Sequence, residues 1–193
     1  MFPRSANKLM QGLAMLRSGL PLQGRLLALA CASHSGERIH VDGVADILSA
    51  AGMAVDALQC PPDYPLDPVE RDTLLAAGLE PARQYMNCSG KHAAMLLTCV
   101  TNGWPIENYL DPTHPLQVAI KRELEALAGE TITLTSTDGC GAPLFLVSLA
   151  GLARAIRAIT ISKDSVHQEV MNASRNNPVM VAGNGRLTTE MMQ

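Results

Sequence analysis

Aromatic side chains are scarce in this chain: one Trp, two Phe and three Tyr among 193 residues. Binding of nucleic acid relies on stacking rings and on clustered positive charge. Neither is present, so the sequence gives no nucleic-acid partner. Long apolar runs are also missing. None reaches the ~18 residues needed to cross a bilayer, and a stretch such as Leu26 to Ala32 has the length of a core helix, so no membrane association is expected. No secretory signal is visible, because Met1-Phe2-Pro3-Arg4 opens directly onto structure. The five cysteines (Cys31, Cys60, Cys88, Cys99 and Cys140) are odd in number and lack a disulfide rhythm. Together with the missing export signal, this points to a reduced, cytoplasmic setting with mostly buried thiols, Cys99 foremost. What remains is an ordinary soluble globular composition, with 47% hydrophobic and 17% charged residues and a net charge of −3. The length suits one domain, or one with an appendage.

Helical patterning dominates. Residues 5–18 carry Leu9, Leu13, Met15 and Leu16 and stop at Gly19. Leu26–Ala32 reads as a short apolar helix or a buried strand. Glu37 to Ala51 places Ile39, Val44, Ile47 and Leu48 on one face, with Gly52 closing it. Residues 55–67 are Pro-rich and loop-like; Pro68 then opens a helix ending before Gly78. A buried helix is expected over 90–100 and an amphipathic one over 115–128. Thr131-Ile132-Thr133-Leu134-Thr135, β-branched and alternating, is the one expected strand. Helices at 143–158 and at 162–174, the latter capped by Ser162, should follow. A loop then runs through Asn176-Asn177-Pro178 to Gly183-Asn184-Gly185, and a short helix ends the chain.

Four clusters carry chemistry. Ser5 and Lys8 lie three apart at the head of the first helix, where i and i+3 share a face, so the amine can sit beside the hydroxyl. A serine is a weak nucleophile until a base takes its proton, and a lysine with a lowered pKa is such a base. Ser-x-x-Lys is the arrangement penicillin-recognising enzymes use for acyl transfer. By itself the motif is short enough to occur by chance and reads as an N-cap followed by a solvated lysine. The second cluster is Cys31-Ala32-Ser33-His34-Ser35-Gly36-Glu37, where Ser33 or Ser35 can serve a catalytic amine or a substrate carboxylate. Its plain alternative is a helix start with Glu37 in the first turn. The third is Asn87-Cys88-Ser89-Gly90-Lys91-His92, where a thiol at a helix head beside a lysine is a nucleophile or half a metal site, or simply a packed Cys. The fourth is Thr137-Asp138-Gly139-Cys140-Gly141-Ala142-Pro143, a thiol and a carboxylate two apart. It suits a metal or a substrate ammonium, or forms an Asx-turn. His40, His92, His114 and His167 read as satisfied or capping histidines, with His92 the one candidate site neighbour, and Asn184 as a turn residue without function.

Taken together and in this order, Pro3-Arg4-Ser5-Ala6-Asn7-Lys8, Cys31 to Glu37, Asn87 to His92 and Asp138 to Pro143 resemble the rhizobial-type L-asparaginases, the class 3 or asparaginase II family. The likeness runs from residue 2 to the C-terminus. It implies an α+β fold like that of serine β-lactamases and glutaminases. It also implies hydrolysis of L-asparagine to L-aspartate and ammonia through a serine acyl-enzyme, and a homodimer. Carried over, Ser5 is the nucleophile, Lys8 its proton acceptor and Ser33 a second active-site hydroxyl. Asp138 and Ser35 bind substrate, Ser35 being the weaker candidate for the relay hydroxyl. Cys88, Lys91 and Cys140 are the zinc ligands, with the zinc serving substrate binding more than bond cleavage.

The resemblance also sets expectations about extent. Family members carry strands before the Pro-Arg-Ser segment, and a later Lys-Gly-Gly-Ala-Glu-Gly-like motif whose lysine forms a second Ser/Lys pair. Neither is present, so residues 1–193 read as a single, incomplete asparaginase domain. An inactive remnant retaining at most a zinc site is the alternative to an active amidohydrolase. A penicillin-recognising acyltransferase would need a KTG-like strand after the helices, and none is present.

Overall fold

Proline and glycine punctuate the chain where its helices begin and end. In the computed structural model, which describes residues 1–193, a 3₁₀ turn over Arg4–Asn7 runs into α1 (Lys8–Arg17), followed by α2 (Gly24–Ala30) and α3 (Arg38–Ala50). Then come α4 (Pro68–Ala76), α5 (Ser89–Asn102) and α6 (Pro115–Ala128). The strands β1 (Thr135–Thr137) and β2 (Pro143–Phe145) precede α7 (Leu149–Ile161), α8 (Ser165–Asn176), α9 (Pro178–Val181) and α10 (Leu187–Met192). The fold is α+β: helices with one small antiparallel sheet. No helix is long and apolar enough to cross a membrane.

The core is built around α5. Its residues Ser89 to Cys99 are all buried, the polar Ser89, Lys91, His92 and Thr98 among them. It packs against α3, α2, α1 and α6, while α1 also meets α6 and α8. Leu27, Leu29, Met95 and Leu13 are fully enclosed there. Each such side chain contributes about 1.5–3 kcal/mol of transfer free energy. α6 follows its sequence pattern closely: Pro115 opens it, His114 caps it by accepting from the Leu116 N–H at 3.2 Å, and Gly129 closes it in the left-handed conformation. All five cysteines are buried and free.

The second half departs from expectation. Thr131–Leu134 is not a strand; pairing begins at Thr135 and matches it to Phe145, with Thr137 opposite Pro143. Helix 143–158 is instead β2 followed by α7. Asp138–Ala142 is therefore a hairpin turn and not a strand-to-helix connection. Pro143 is tolerated because hydrogen-bonded pairing falls at Ala142 and Leu146, whose partners are Asp138 and Leu134, so its missing N–H is not needed on that side. α8 starts three residues later than expected, capped by Asp164, whose carboxylate accepts from the Val166 N–H at 2.8 Å. In α3, Ile39 faces outward at 41% exposure, and His40 takes the buried position beside Val44, Ile47 and Leu48.

Candidate active site and metal-ligand cluster

The head of α1 and the loop after α2 bring three side chains into one hydrogen-bonded line. Ser5 Oγ lies 2.7 Å from Ser33 Oγ, and the Lys8 amine lies 2.6 Å from Ser33 Oγ while also donating to the Ala32 carbonyl. Ser33 thus stands between Ser5 and Lys8, where the sequence placed Lys8 beside Ser5 directly. Lys8 is 2% exposed and Ser5 faces solvent. Burial lowers the Lys8 pKa below the ordinary lysine value; Cys88 opposes that shift and Lys91 reinforces it.

The turn that presents Ser5 is strained. Arg4 has φ +48°, the one non-glycine residue in the left-handed region. Such outliers cost about 1–3 kcal/mol and concentrate at functional sites. The Arg4 guanidinium, exposed to solvent, reaches Asp138 at 3.4 Å across the hairpin turn. Asp138 also accepts from the Gly139 N–H at 2.8 Å, which fixes its carboxylate.

The Ser33 loop has no regular structure and is held through its neighbours. The His34 N–H donates to the Asn87 carbonyl (3.2 Å), and His34 Nδ1 accepts from the Gly36 N–H (3.2 Å). That leaves Nε2 as the protonated nitrogen, donating to Ser89 Oγ at 3.2 Å, and Ser89 donates on to the Gln84 carbonyl at 2.9 Å. Ser35, expected to meet substrate, is 1% exposed and donates to Glu37 Oε1 at 2.6 Å.

Behind Lys8 lies a second group. Cys88, at the N-terminus of α5, Lys91 one turn along, and Cys140, at the buried tip of the hairpin, converge: the Lys91 amine sits 3.1 Å from Cys140 Sγ. A hydrogen bond from Cys140 pulls the Cys88 thiol down to about 5 against the effect of burial, with Lys8 and Lys91 adding their charge. The reciprocal interaction pushes Cys140 up. His92, fully buried, has its pKa held down to about 4 by burial. Its Nδ1 lies 2.7 Å from the Tyr109 hydroxyl, and its Nε2 has no hydrogen-bond partner. Thiolates are ligands that zinc takes, and the His92 Nε2 is left without a partner, so the two thiols fit such an ion; the Lys91 amine, which donates to Cys140, fits only once it has lost its proton. No three His, Cys, Asp or Glu side chains come together as a metal set.

The structure thus unites Ser5, Lys8 and Ser33, joins Asp138 to Arg4, and gathers Cys88, Lys91 and Cys140. Ser35 it assigns to an internal contact. The largest surface cavity, 420 Å³ between Gln23 and the Ser165–Asn177 face, shares no residue with these groups.

The L-asparaginase II family model matches residues 1–193, the whole chain. The chain belongs to the L-asparaginase II family. No curated protein sequence matches it. Family membership makes an amide-hydrolysing enzyme acting on a small molecule the class to which this chain's reactive groups belong. Sequence reasoning gave no site role to three residues that the structure joins to these groups: Arg4, which meets Asp138, and Glu37 and Asn184, which meet each other beside Ser35. Arg4 was signalled only by its place beside Ser5. Glu37 looked like a first-turn acid and Asn184 like a turn former, since their meeting spans 147 residues.

Proposed function

We propose that the chain hydrolyses L-asparagine to L-aspartate and ammonia through an acyl-enzyme on Ser5. The observation that carries this reading is the Ser5–Ser33–Lys8 line, in which a buried amine of lowered pKa is linked to an exposed hydroxyl through a second hydroxyl. A β-lactamase-like fold is part of the same reading, supported by a Ser-x-x-Lys helix head whose Arg4 reaches Asp138 in the turn of a small antiparallel sheet.

In its neutral form Lys8 accepts the Ser33 proton while Ser33 accepts that of Ser5. Ser5 Oγ then attacks the side-chain amide carbon, and the C=O bond becomes an oxyanion. On collapse, the Lys8 ammonium returns its proton through Ser33 to the departing nitrogen, which leaves as ammonia, with an aspartyl ester on Ser5. Water loses a proton to the same amine as it attacks the ester, and the proton returns to Ser5 as aspartate departs. The Arg4 guanidinium takes the substrate's α-carboxylate and the Asp138 carboxylate its α-ammonium, a reading supported by the two groups meeting at 3.4 Å near Ser5.

Cys88, Lys91 and Cys140 would hold zinc, which when bound supplies a fixed positive charge for substrate binding. Lys91 must lose its proton to join that set, while Lys8 stays on the side of Ser33.

The test is an acid quench during turnover of L-asparagine, followed by peptide mass analysis. An aspartyl adduct on the Ser5 peptide, absent in Ser5→Ala, supports the reading; turnover with no adduct on Ser5 in a rapid quench contradicts it.

A further inference from the structure

Glu37 is a buried carboxylate that forms no ion pair. It is 8% exposed, yet all of its partners are neutral donors: Oε1 accepts from Ser35 Oγ at 2.6 Å and from the Asn184 N–H at 2.7 Å, and Oε2 from Asn184 Nδ2 at 2.5 Å. A buried carboxylate is costly unless fully hydrogen-bonded, and three donors, one from Ser35 in its own loop and two from Asn184 in a distant segment, meet that need. The second segment is shaped for the contact. Gly183 has φ +120°, and a Cβ there would overlap both Ser35 Oγ and Glu37 Oε1. The turn is tied down in its own right, since Thr189 Oγ1 donates to the Gly183 carbonyl at 2.5 Å. Residues 32–37, by contrast, have no helix or strand to hold them. Ser35 is two residues from Ser33, so its anchoring limits where the Ser33 hydroxyl can go.

We propose that Glu37 is a positioning residue: by clamping Ser35 to the Gly183–Asn184 turn, it fixes Ser33 between Ser5 and Lys8. Its effect on rate rests on the acyl-transfer reading above, whereas the clamp itself does not. Glu37 has no part in bond making. Its removal loosens the relay and slows the chemical step while substrate affinity holds, because misplacement of a catalytic group by a fraction of an ångström costs rate before binding.

The test uses the full chain with Glu37→Ala, Glu37→Gln and Asn184→Ala, read by hydrogen exchange and by kinetics on L-asparagine. Glu37→Ala is expected to speed exchange at Ser33–Gly36 about tenfold or more, leaving α5 and α6 protected. Glu37→Gln keeps one acceptor oxygen for Ser35 and the Asn184 N–H and should retain most of that protection. In Glu37→Ala, kcat should fall about 10–100-fold with KM within about twofold, and Glu37→Gln should recover most of the loss. Unchanged exchange at Ser33–Gly36, or a uniform rise across the whole chain, overturns the proposal. So does a local rise in exchange with kcat unaltered. If the parent chain releases no ammonia but the local rise appears, the clamp stands and the amidase reading fails. Asn184→Ala tests the same contact from the solvent side if Glu37→Ala does not fold.

Discussion

Lys8 is joined to Ser33 at 2.6 Å, and through Ser33 to Ser5 at a further 2.7 Å. The two ends of the Ser-x-x-Lys motif therefore communicate through a residue 28 positions from the first of them. The i, i+3 spacing puts Ser5 and Lys8 on one side of the helix head, but Arg4–Asn7 is wound as a 3₁₀ turn and Lys8 points inward to the Ala32 carbonyl. A third group is needed to complete the line.

Ser33→Ala should lower kcat for L-asparagine about 100-fold or more, the range for loss of a proton-transfer group, with little change in KM. Initial-rate measurements check this. A variant that keeps more than half the parent kcat would show that Lys8 reaches Ser5 without Ser33.

Arg4 and Asp138 should act on substrate binding. Arg4→Ala and Asp138→Asn are each expected to raise KM for L-asparagine about tenfold or more, as loss of a charge-assisted contact worth about 1.5–3 kcal/mol would do. Because the two also pair with each other at 3.4 Å, their effects should fall short of additive in the double variant. Strictly additive effects would separate them into unrelated roles.

Zinc should bind the chain with a stoichiometry of one, measured by equilibrium dialysis and elemental analysis after metal removal. Cys88→Ser or Cys140→Ser should abolish tight binding, and Cys31→Ser, at a thiol whose pKa burial pushes up to about 12, should leave it intact. Retained binding in both Cys88→Ser and Cys140→Ser would place the metal elsewhere.

Gly90→Ala tests the packing that sets Cys88 and Lys91. An alanine favours a helix by about 0.8–1.0 kcal/mol over glycine. Here, however, its Cβ would sit 2.6 Å from Leu29 Cγ and 2.8 Å from the Leu29 carbonyl oxygen, which belongs to the α2 backbone. Overpacking of this kind costs about 1–3 kcal/mol, so the variant should be less stable in urea unfolding and weaker in zinc binding. A gain in stability would mean that α2 can move away freely.

Acid stability carries a contribution from Asp164. A hydrogen bond from Arg17, with further bonds from the Val166 and His167 N–H groups, pulls its carboxyl down to about 2 from an ordinary value of 3.8. A pKa depressed on folding means stability that is present above the unfolded value and lost as pH falls from there through about 2. Asp164→Asn should flatten the stability curve across that window, measured by thermal melts at stepped pH. An unchanged acid limb would refute the assignment.

The helices were legible where local signals agreed with tertiary burial. Pro115 and Gly129 bracket α6, and its apolar stripe points to α1 and α7. The hairpin was not legible, because Pro143 after a glycine-rich turn looks like a helix start. Only its pairing with Thr137, in a position that needs no N–H, makes it a strand. Among site residues, Ser5, Lys8, Cys88 and Lys91 were visible as spacings at helix heads. Local spacing does not separate Ser33 from Ser35, and only the resemblance put Ser33 in the relay; in the structure Ser35 is held by Glu37, which Asn184 also meets from 147 residues away. Contacts of that span leave no periodicity behind.

Ammonia release from L-asparagine by the purified 193-residue chain, beside Ser5→Ala and Lys8→Met, tests the central claim most directly. The account predicts release by the parent chain and its loss in both variants, with the fold intact by circular dichroism. Release that survives in a folded Ser5→Ala variant, or no release from a folded parent chain, would contradict it.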